Sequence, residues 1–95
     1  MVLSSSDTVR VFKAFCDINR LKIINMLTKG DKCGNELLEA LDVSQPTLSH
    51  HMKILCESGI VFSRKYGKLT QYSLSYDGIE IAKNHLIYLQ EFANH

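Results

Sequence analysis

A run of small polar side chains near the middle of the sequence is suited to reading another molecule. It comprises Ser44, Gln45, Thr47, Ser49, His50 and Lys53. Gln side chains can pair bidentately with adenine, hydroxyl groups bond bases or phosphates, and the Thr methyl group can contact thymine. His and Lys can reach base edges or the phosphate backbone. These residues predict a surface that contacts the major groove of DNA.

The other reactive groups of the chain are its cysteines, Cys16, Cys33 and Cys56. They form no Cys-x-x-Cys pair and their number is odd, so we expect neither a disulfide framework nor a zinc ribbon. A reduced thiol packs as a small apolar group, binds soft metal ions, or reacts with oxidants. The spacing of the three cysteines leaves these roles open.

The polar run lies on a predicted helix that starts after its cap Ser44 and ends at Gly59. With about 100° between successive residues, Leu48, Met52 and Leu55 share one face and should point to the core. His51 lies beside that face, so we expect a packed, hydrogen-bonded structural residue and not a ligand.

A shorter helix precedes it, with an apolar face of Leu37, Leu38 and Leu41 and with Cys33 or Asn35 as its cap. Two short helices joined by a tight turn form a helix-turn-helix, here at about residues 35–57. Two β-branched and aromatic runs at about 60–75, separated by a Tyr-Gly-Lys turn, predict a hairpin. Its basic residues, Arg64, Lys65 and Lys68, are expected to contact the DNA backbone or minor groove.

Two helices open the chain and one closes it. We expect Ser6 or Asp7 to cap the first helix, which ends at about Cys16, and Asn19 to cap the second. The second helix should bury a stripe of Leu21, Ile24 and Leu27. The last helix is expected to begin at Asp77.

The terminal helices, at about 6–16 and 77–93, carry more apolar residues than one face can hide. A domain of 95 residues buries only about 60–65% of the surface of its unfolded chain, so its own core is marginal. We therefore expect a homodimer formed through these two helices, with a monomer closed over its own core as the alternative.

The formal net charge of the chain is only +1, but it is unevenly distributed. Residues 43–75 carry a net charge of +3, whereas residues 1–42 are neutral and residues 76–95 carry −2. The positive charge is therefore confined to the predicted reading surface. Because this excess is modest, useful affinity is expected only from a dimer that binds two half-sites.

Composition and length predict a single domain, 1–95, in the cytoplasm, since no apolar run approaches a membrane span. We find no phosphate loop, no zinc-protease motif and no nucleophile–base pair, so an enzyme is not expected. A protein-interaction module is the stronger rival. It would show apolar anchors on the outer face of the fourth helix, where this chain has polar side chains.

Three parts of the sequence resemble the ArsR/SmtB family of metal-responsive winged-helix repressors. They are Asp17-Ile18-Asn19-Arg20-Leu21-Lys22-Ile23-Ile24, the stretch from Val43 to Leu55 followed by Ser58-Gly59-Ile60-Val61, and the wing residues 64–68 and 72–74. The resemblance implies a mainly α winged helix-turn-helix with a β-hairpin wing. It also implies a homodimer that represses an operon from an inverted-repeat operator in double-stranded DNA, without a membrane, until an inducer binds.

The resemblance leaves the inducer open. Relatives that sense arsenite, antimonite or cadmium place Cys-x-Cys at the start of the third helix, and here that position reads Cys33-Gly34-Asn35. Cys33 alone cannot hold a thiophilic ion, so Cys56 and Cys16, from the same or the partner subunit, would have to complete the set. The alternatives are oxidant or persulfide sensing through a cysteine pair, and no sensory role.

A second metal site of the family lies on its last helix. The corresponding residues here are Asp77, Glu80, His85, Glu91 and His95. Their spacing does not fit that site, and we expect a solvated polar face.

Overall fold

The computed structural model describes residues 3–93 and contains five α-helices and a three-stranded antiparallel sheet. The helices are α1 (Ser5–Ala14), α2 (Ile18–Leu27), α3 (Gly34–Ala40), α4 (Gln45–Glu57) and α5 (Tyr76–Gln90). The strands are β1 (Lys32–Cys33), β2 (Val61–Tyr66) and β3 (Leu69–Leu74). The predicted mainly α fold with a hairpin wing is confirmed. The predicted domain, 1–95, extends beyond the described residues at both ends, and His95 lies outside them.

Helices α3 and α4 form the helix-turn-helix, and β2 and β3 form the wing. The strand β1 was not predicted from the sequence: it adds to β3, so that the strand order is β1-β3-β2. Lys32 pairs with Tyr72 and Cys33 with Gln71. A strand of two residues has no alternation that a sequence pattern could reveal. It ties the start of α3 to the wing.

The core lies between the helices and the sheet. Leu48, Met52 and Leu55 of α4 are each at most 5% exposed, which confirms the predicted inner face of this helix. The prediction for α2 was partly wrong, because Leu21 is 41% exposed and Ile23 is fully buried instead. The remaining core residues are Val11, Ala14, Leu27, Leu37, Leu41, Ile60 and Val61.

Three predicted helix starts need correction, those of α1, α2 and α5. The cap of α1 is Ser4, not Ser6 or Asp7, and its hydroxyl accepts from the Asp7 N–H. The cap of α2 is Asp17, not Asn19, because the Asp17 carboxylate accepts from the N–H groups of Asn19 and Arg20 at 2.8 and 3.2 Å. More than one polar residue lies near each start, and each of them suits a cap chemically.

For α3 the sequence left two caps open, and the structure has Cys33 and not Asn35 as the cap residue. The Cys33 N–H donates to Glu36 Oε1 at 2.9 Å. Helix α5 begins at Tyr76 after the cap Ser75, one residue before the predicted start at Asp77. The expectation of a solvated polar face is wrong for His85, which is only 9% exposed and accepts from the Leu3 N–H at 3.4 Å.

Helices α1 and α5 leave much of their apolar surface exposed, as predicted. On α1 the exposed residues include Val9 and Phe12, with Phe15 following at its C-cap. On α5 and the turn after it they include Ile81, Leu86, Ile87, Tyr88, Leu89 and Phe92. An apolar cavity of about 210 Å³ lies between the two helices. No helix within residues 3–93 is long and apolar enough to cross a membrane.

The first turn of α5 touches the backbone that follows α4. A Cβ atom built on Gly78 would lie only 1.7 Å from the carbonyl oxygen of Gly59, so no side chain fits there. Close by, the Ser75 N–H donates to the Ile60 carbonyl oxygen at 2.9 Å. The absent side chain of Gly78 therefore allows the last helix to pack against the end of α4.

We predict that Gly78→Ala lowers the free energy of unfolding by about 1–3 kcal/mol, because the new methyl group forces the helix away from Gly59. Gly34→Ala is the matched control. Gly34 also lies in a helix, and a Cβ atom there meets nothing within 4 Å, so its stability should be unchanged or raised by up to ~1 kcal/mol. Urea unfolding followed by circular dichroism measures both. Equal stabilities of the two variants would contradict the close contact.

Candidate nucleic-acid interface

The outer face of α4 presents the polar residues that the sequence singled out. Gln45, Thr47, Ser49, His50 and Lys53 are all exposed. The Ser44 hydroxyl caps the helix: it accepts from the Thr47 N–H at 3.3 Å and donates to Thr47 Oγ1 at 2.9 Å. Pro46 lies in the first turn, where its missing N–H costs no helix bond. The start of α4 is thus rigid, and its polar side chains face solvent.

The wing distributes its basic residues over both faces of the hairpin. Arg64, Lys65 and Lys68 are all exposed. Arg64 lies over the Phe62 ring, with 5.1 Å from its guanidinium carbon to the ring centroid. Lys65 is the next residue of β2, so it projects from the opposite face, which it shares with its partner Thr70. Lys65 and Thr70 therefore share one face of the hairpin, and Arg64 lies on the other face.

A cleft of about 200 Å³ separates α4 from the wing. Its polar lining includes Asn35 from α3, Gln45 and Ser49 from α4, and Lys68 and Thr70 from the wing. Gln45 and Ser49 were predicted to read DNA bases, and Lys68 was predicted to contact the DNA backbone or minor groove. The fold brings the three residues to one cleft. Asn35 and Thr70 were not predicted to take part. No local pattern marks them, because β1 and β3 bring them close to α4.

Behind the reading face, α4 is held by a buried polar contact. Arg20 NH1 lies 3.0 Å from Nδ1 of His51, and Arg20 Nε donates to the Lys13 carbonyl oxygen at 2.9 Å. Nε2 of His51 lies 3.7 Å from the Asp17 carboxylate. The prediction that His51 is a packed, hydrogen-bonded residue is confirmed. Arg20 was not predicted to be buried, since a charged side chain on a short helix normally faces solvent.

Partial burial by itself would raise the pKa of Asp17. Hydrogen bonds from the backbone N–H groups of Arg20 and Asn19, together with the charges of His51 and Arg20, outweigh that effect and lower the pKa below its ordinary value of 3.8. The carboxylate is therefore ionised at neutral pH. In that form it both caps α2 and faces the imidazole of His51.

The three thiols occupy different surroundings. Cys16 is exposed, whereas Cys33 and Cys56 are half-buried. Hydrogen bonds from the backbone N–H and the thiol of Cys33 lower the pKa of Glu36. Burial raises the pKa of the Cys56 thiol, and a hydrogen bond with Ser63 offsets only part of this rise. At neutral pH, Cys56 is therefore a poor nucleophile.

The sheet separates Cys33 from Cys56 within one chain. Cys33 pairs with Gln71, which pairs with Arg64 on its other side, so these three side chains project from one face. Cys56 forms a hydrogen bond with Ser63. Burial and, second, the charge of Cys56 raise the pKa of Tyr72. Ser63 and Tyr72 pair with each other and project from the opposite face. Among residues 3–93 of a single chain, no three His, Cys, Asp or Glu side chains form a group that could hold a metal ion. A thiophilic ion therefore does not fit one protomer in this conformation.

Known proteins have sequences similar to that of this chain. The family described as "Bacterial regulatory protein, arsR family" matches residues 17–63, from the cap of α2 into β2. An arsenical resistance operon repressor from Staphylococcus xylosus is 36% identical over 84 residues, which cover 88% of this chain and 81% of the relative. The chain belongs to the arsR family. The resemblance inferred from its motifs is confirmed.

Further comparisons agree with the family. A cadmium resistance regulatory protein CadC homolog from Staphylococcus aureus is 41% identical over 69 residues, covering 72% of this chain and 57% of that protein. A crystal structure of an ArsR family transcriptional regulator has a TM-score of 0.84 and covers 96% of this chain and 94% of its own, at 22% identity. That likeness shows the fold. ArsR proteins are transcriptional repressors and not enzymes, in agreement with the sequence.

We predict that Cys56 is alkylated more slowly than the exposed Cys16 at neutral pH, because burial raises the pKa of the Cys56 thiol. Its rate should continue to rise above pH 9.0, the ordinary pKa of a thiol. Ser63→Ala removes the hydrogen bond that lowers the pKa and should slow Cys56 further. Mass spectrometry of the native protein after timed treatment with iodoacetamide measures both rates. Faster alkylation of Cys56 than of Cys16 would contradict the burial.

Proposed function

We propose that this ArsR-family chain is a dimeric transcriptional repressor that binds an inverted-repeat operator and is released by a thiophilic metal or metalloid ion. The proposed DNA binding is supported above all by the exposed polar face of α4, which lies beside a basic wing. That face holds amide, hydroxyl, imidazole and ammonium groups and lacks the apolar anchors of a protein-interaction surface. We infer that α4 enters the major groove, as the second helix of a helix-turn-helix does.

The distribution of charge along the chain also supports binding of α4 and the wing to DNA. Residues 43–75, which include α4 and the wing, carry the net charge of +3. With α4 in the major groove, the cleft beside it faces the adjacent sugar–phosphate strand, and Lys68 and Thr70 approach that strand from the wing side. Gln45, Thr47, Ser49 and His50 then read base edges, while Ser44, Lys53, Arg64, Lys65 and Lys68 contact the backbone or the minor groove.

A homodimer through α1 and α5 is supported by their exposed apolar surface. Phe92 is 74% exposed, and Leu86 and Leu89 are each 50% exposed, on and just beyond one helix. Patches of this kind are rare on monomers and typical of obligate interfaces. Two copies would also present two reading helices to the two half-sites of a palindrome.

For the inducer, we propose thiols from both protomers. Staphylococcal relatives are named for arsenical and cadmium resistance, and such ions prefer several sulfur ligands. Because the sheet separates Cys33 from Cys56, the favoured set joins Cys33 of one protomer to Cys16 near the end of α1 of the other. Cys56 is the further candidate, and it would first have to leave its half-buried position.

We predict that Gln45→Ala weakens binding to the operator by ~1–3 kcal/mol and has little effect on random DNA, because an amide reads a base edge. His50→Ala should behave similarly. Lys65→Ala or Lys68→Ala should weaken binding to operator and random DNA alike and lower the salt dependence by about one phosphate contact.

Lys83→Ala is the matched control, since Lys83 is exposed on α5 and pairs with Glu80. Fluorescence anisotropy at several salt concentrations measures all of them, and equal losses on both DNAs for Gln45→Ala would refute base reading.

A second prediction concerns release. Arsenite or cadmium added to the reduced protein should dissociate it from its promoter DNA, whereas zinc should have less effect because it does not require thiolate ligands. Cys33→Ser or Cys16→Ser should abolish that response without weakening DNA binding. Release by an oxidant but by no ion would assign the thiols to redox sensing. Indifference to both would leave them a packing role.

A further inference from the structure

The side chains of Asp17, Arg20 and His51 form a cluster behind the reading face of α4, in which the Asp17 side chain is 33% exposed. Arg20 is 8% exposed and His51 is 6% exposed. Within residues 3–93, no buried side-chain nitrogen or oxygen atom lacks a hydrogen-bond partner. Replacing a buried charged group by apolar residues is often neutral or stabilising, so such a cluster points to specificity of structure more than to stability.

The donors of the cluster determine the position of the imidazole proton. A guanidinium group has only donors, so Nδ1 of His51, 3.0 Å from Arg20 NH1, must be the acceptor. The proton of a neutral ring is then on Nε2, on the side where Asp17 Oδ2 lies 3.7 Å away. A second proton on Nδ1 would place two donors opposite each other. The cluster therefore fits a neutral His51 in one tautomer.

We propose that Asp17, Arg20 and His51 are positioning residues that hold α4 in the orientation in which its polar face can read DNA. This inference rests on the proposed DNA-binding function. The apolar contacts of α4 are not directional and permit some roll, whereas a hydrogen bond loses strength when its angle changes. His51 directly follows His50 in the chain, so its orientation also sets that of the reading residues.

Other groups hold the contact between Arg20 and His51 in place. Asp17 lies on the Nε2 side of the ring, and its Oδ2 accepts the two N–H bonds that cap α2. The Lys13 carbonyl oxygen near the end of α1 accepts from Nε of Arg20 and fixes the guanidinium group. On α4 itself, the ring of His50 is 6.1 Å away between centroids. A closer approach of His51 to Asp17 would thus cost both the Arg20 bond and part of the α2 cap.

Two substitutions separate positioning from packing. His51→Asn keeps an oxygen acceptor near the position of Nδ1 and has no group that titrates, whereas His51→Leu keeps a similar volume without an acceptor. Binding is measured on a duplex that the wild-type protein selects from a random library. At about pH 8, His51→Leu should bind at least about tenfold more weakly than wild type, the scale of a lost hydrogen bond to a charged group, and His51→Asn should recover most of that loss. Circular dichroism and the thermal midpoint show whether each variant is folded.

Equal affinities of the folded Asn and Leu variants would overturn the proposal. Where the Leu variant does not fold, the Asn variant decides. An affinity of folded His51→Asn that is about tenfold or more below wild type would then overturn the proposal, because the acceptor for Arg20 is retained.

A measurement without DNA separates this inference from the proposed function. Long-range ¹H–¹⁵N spectra of the free protein at about pH 8 should show His51 with a proton on Nε2 and none on Nδ1. A proton on Nδ1 would overturn the positioning scheme, whether or not DNA is bound. If the wild-type protein selects no duplex, the DNA-binding function itself fails.

Discussion

The hydrogen bond between Arg20 and His51 is the contact on which the reading surface depends. One guanidinium joins the carbonyl oxygen of Lys13 near the end of α1 to the middle of α4, and it comes from α2, whose first turn is capped by the neighbouring Asp17. The apolar stripe of Leu48, Met52 and Leu55 determines which face of α4 is buried. The bond to Arg20 adds a directional contact, because a hydrogen bond weakens when its angle changes. In the proposed scheme, this contact holds the polar face in the orientation that reads DNA.

Long periodic segments of the fold could be predicted from the sequence, and long-range contacts could not. The inner face of α4 follows from the spacing of Leu48, Met52 and Leu55, because periodicity is a local property. The strand β1 has only two residues, and its partner in β3 lies far along the chain. His85 was expected in solvent, because nothing near it in sequence reveals that Leu3, 82 residues away, covers it. Arg20 was missed for the same reason, since His51 is 31 residues away.

The molecule divides its surface between two kinds of contact. The net charge of +3 lies within residues 43–75, while the exposed apolar residues are concentrated on α1 and α5. The close approach of Gly78 to the Gly59 carbonyl oxygen joins these regions, because it fixes the start of α5 against the backbone just after α4. In the proposed dimer, this contact of backbone atoms would couple the start of α5 to the end of the recognition helix in each copy.

The position of Cys33 indicates how an ion could affect DNA binding without touching DNA. Cys33 pairs with Gln71 of β3, and β3 follows Lys68 at the tip of the wing. The same residue bonds Glu36 through its N–H and its thiol, so it also holds the start of α3, next to the cleft. An ion that took the Cys33 thiolate would compete with the bond to Glu36 and would pull on β1, β3 and α3 together. Release from DNA then requires only that the ion binds the displaced arrangement more tightly than the DNA-bound one. A site shared by two protomers would meet this condition if its thiolates came within bonding distance of the ion only in the displaced orientation of the two subunits.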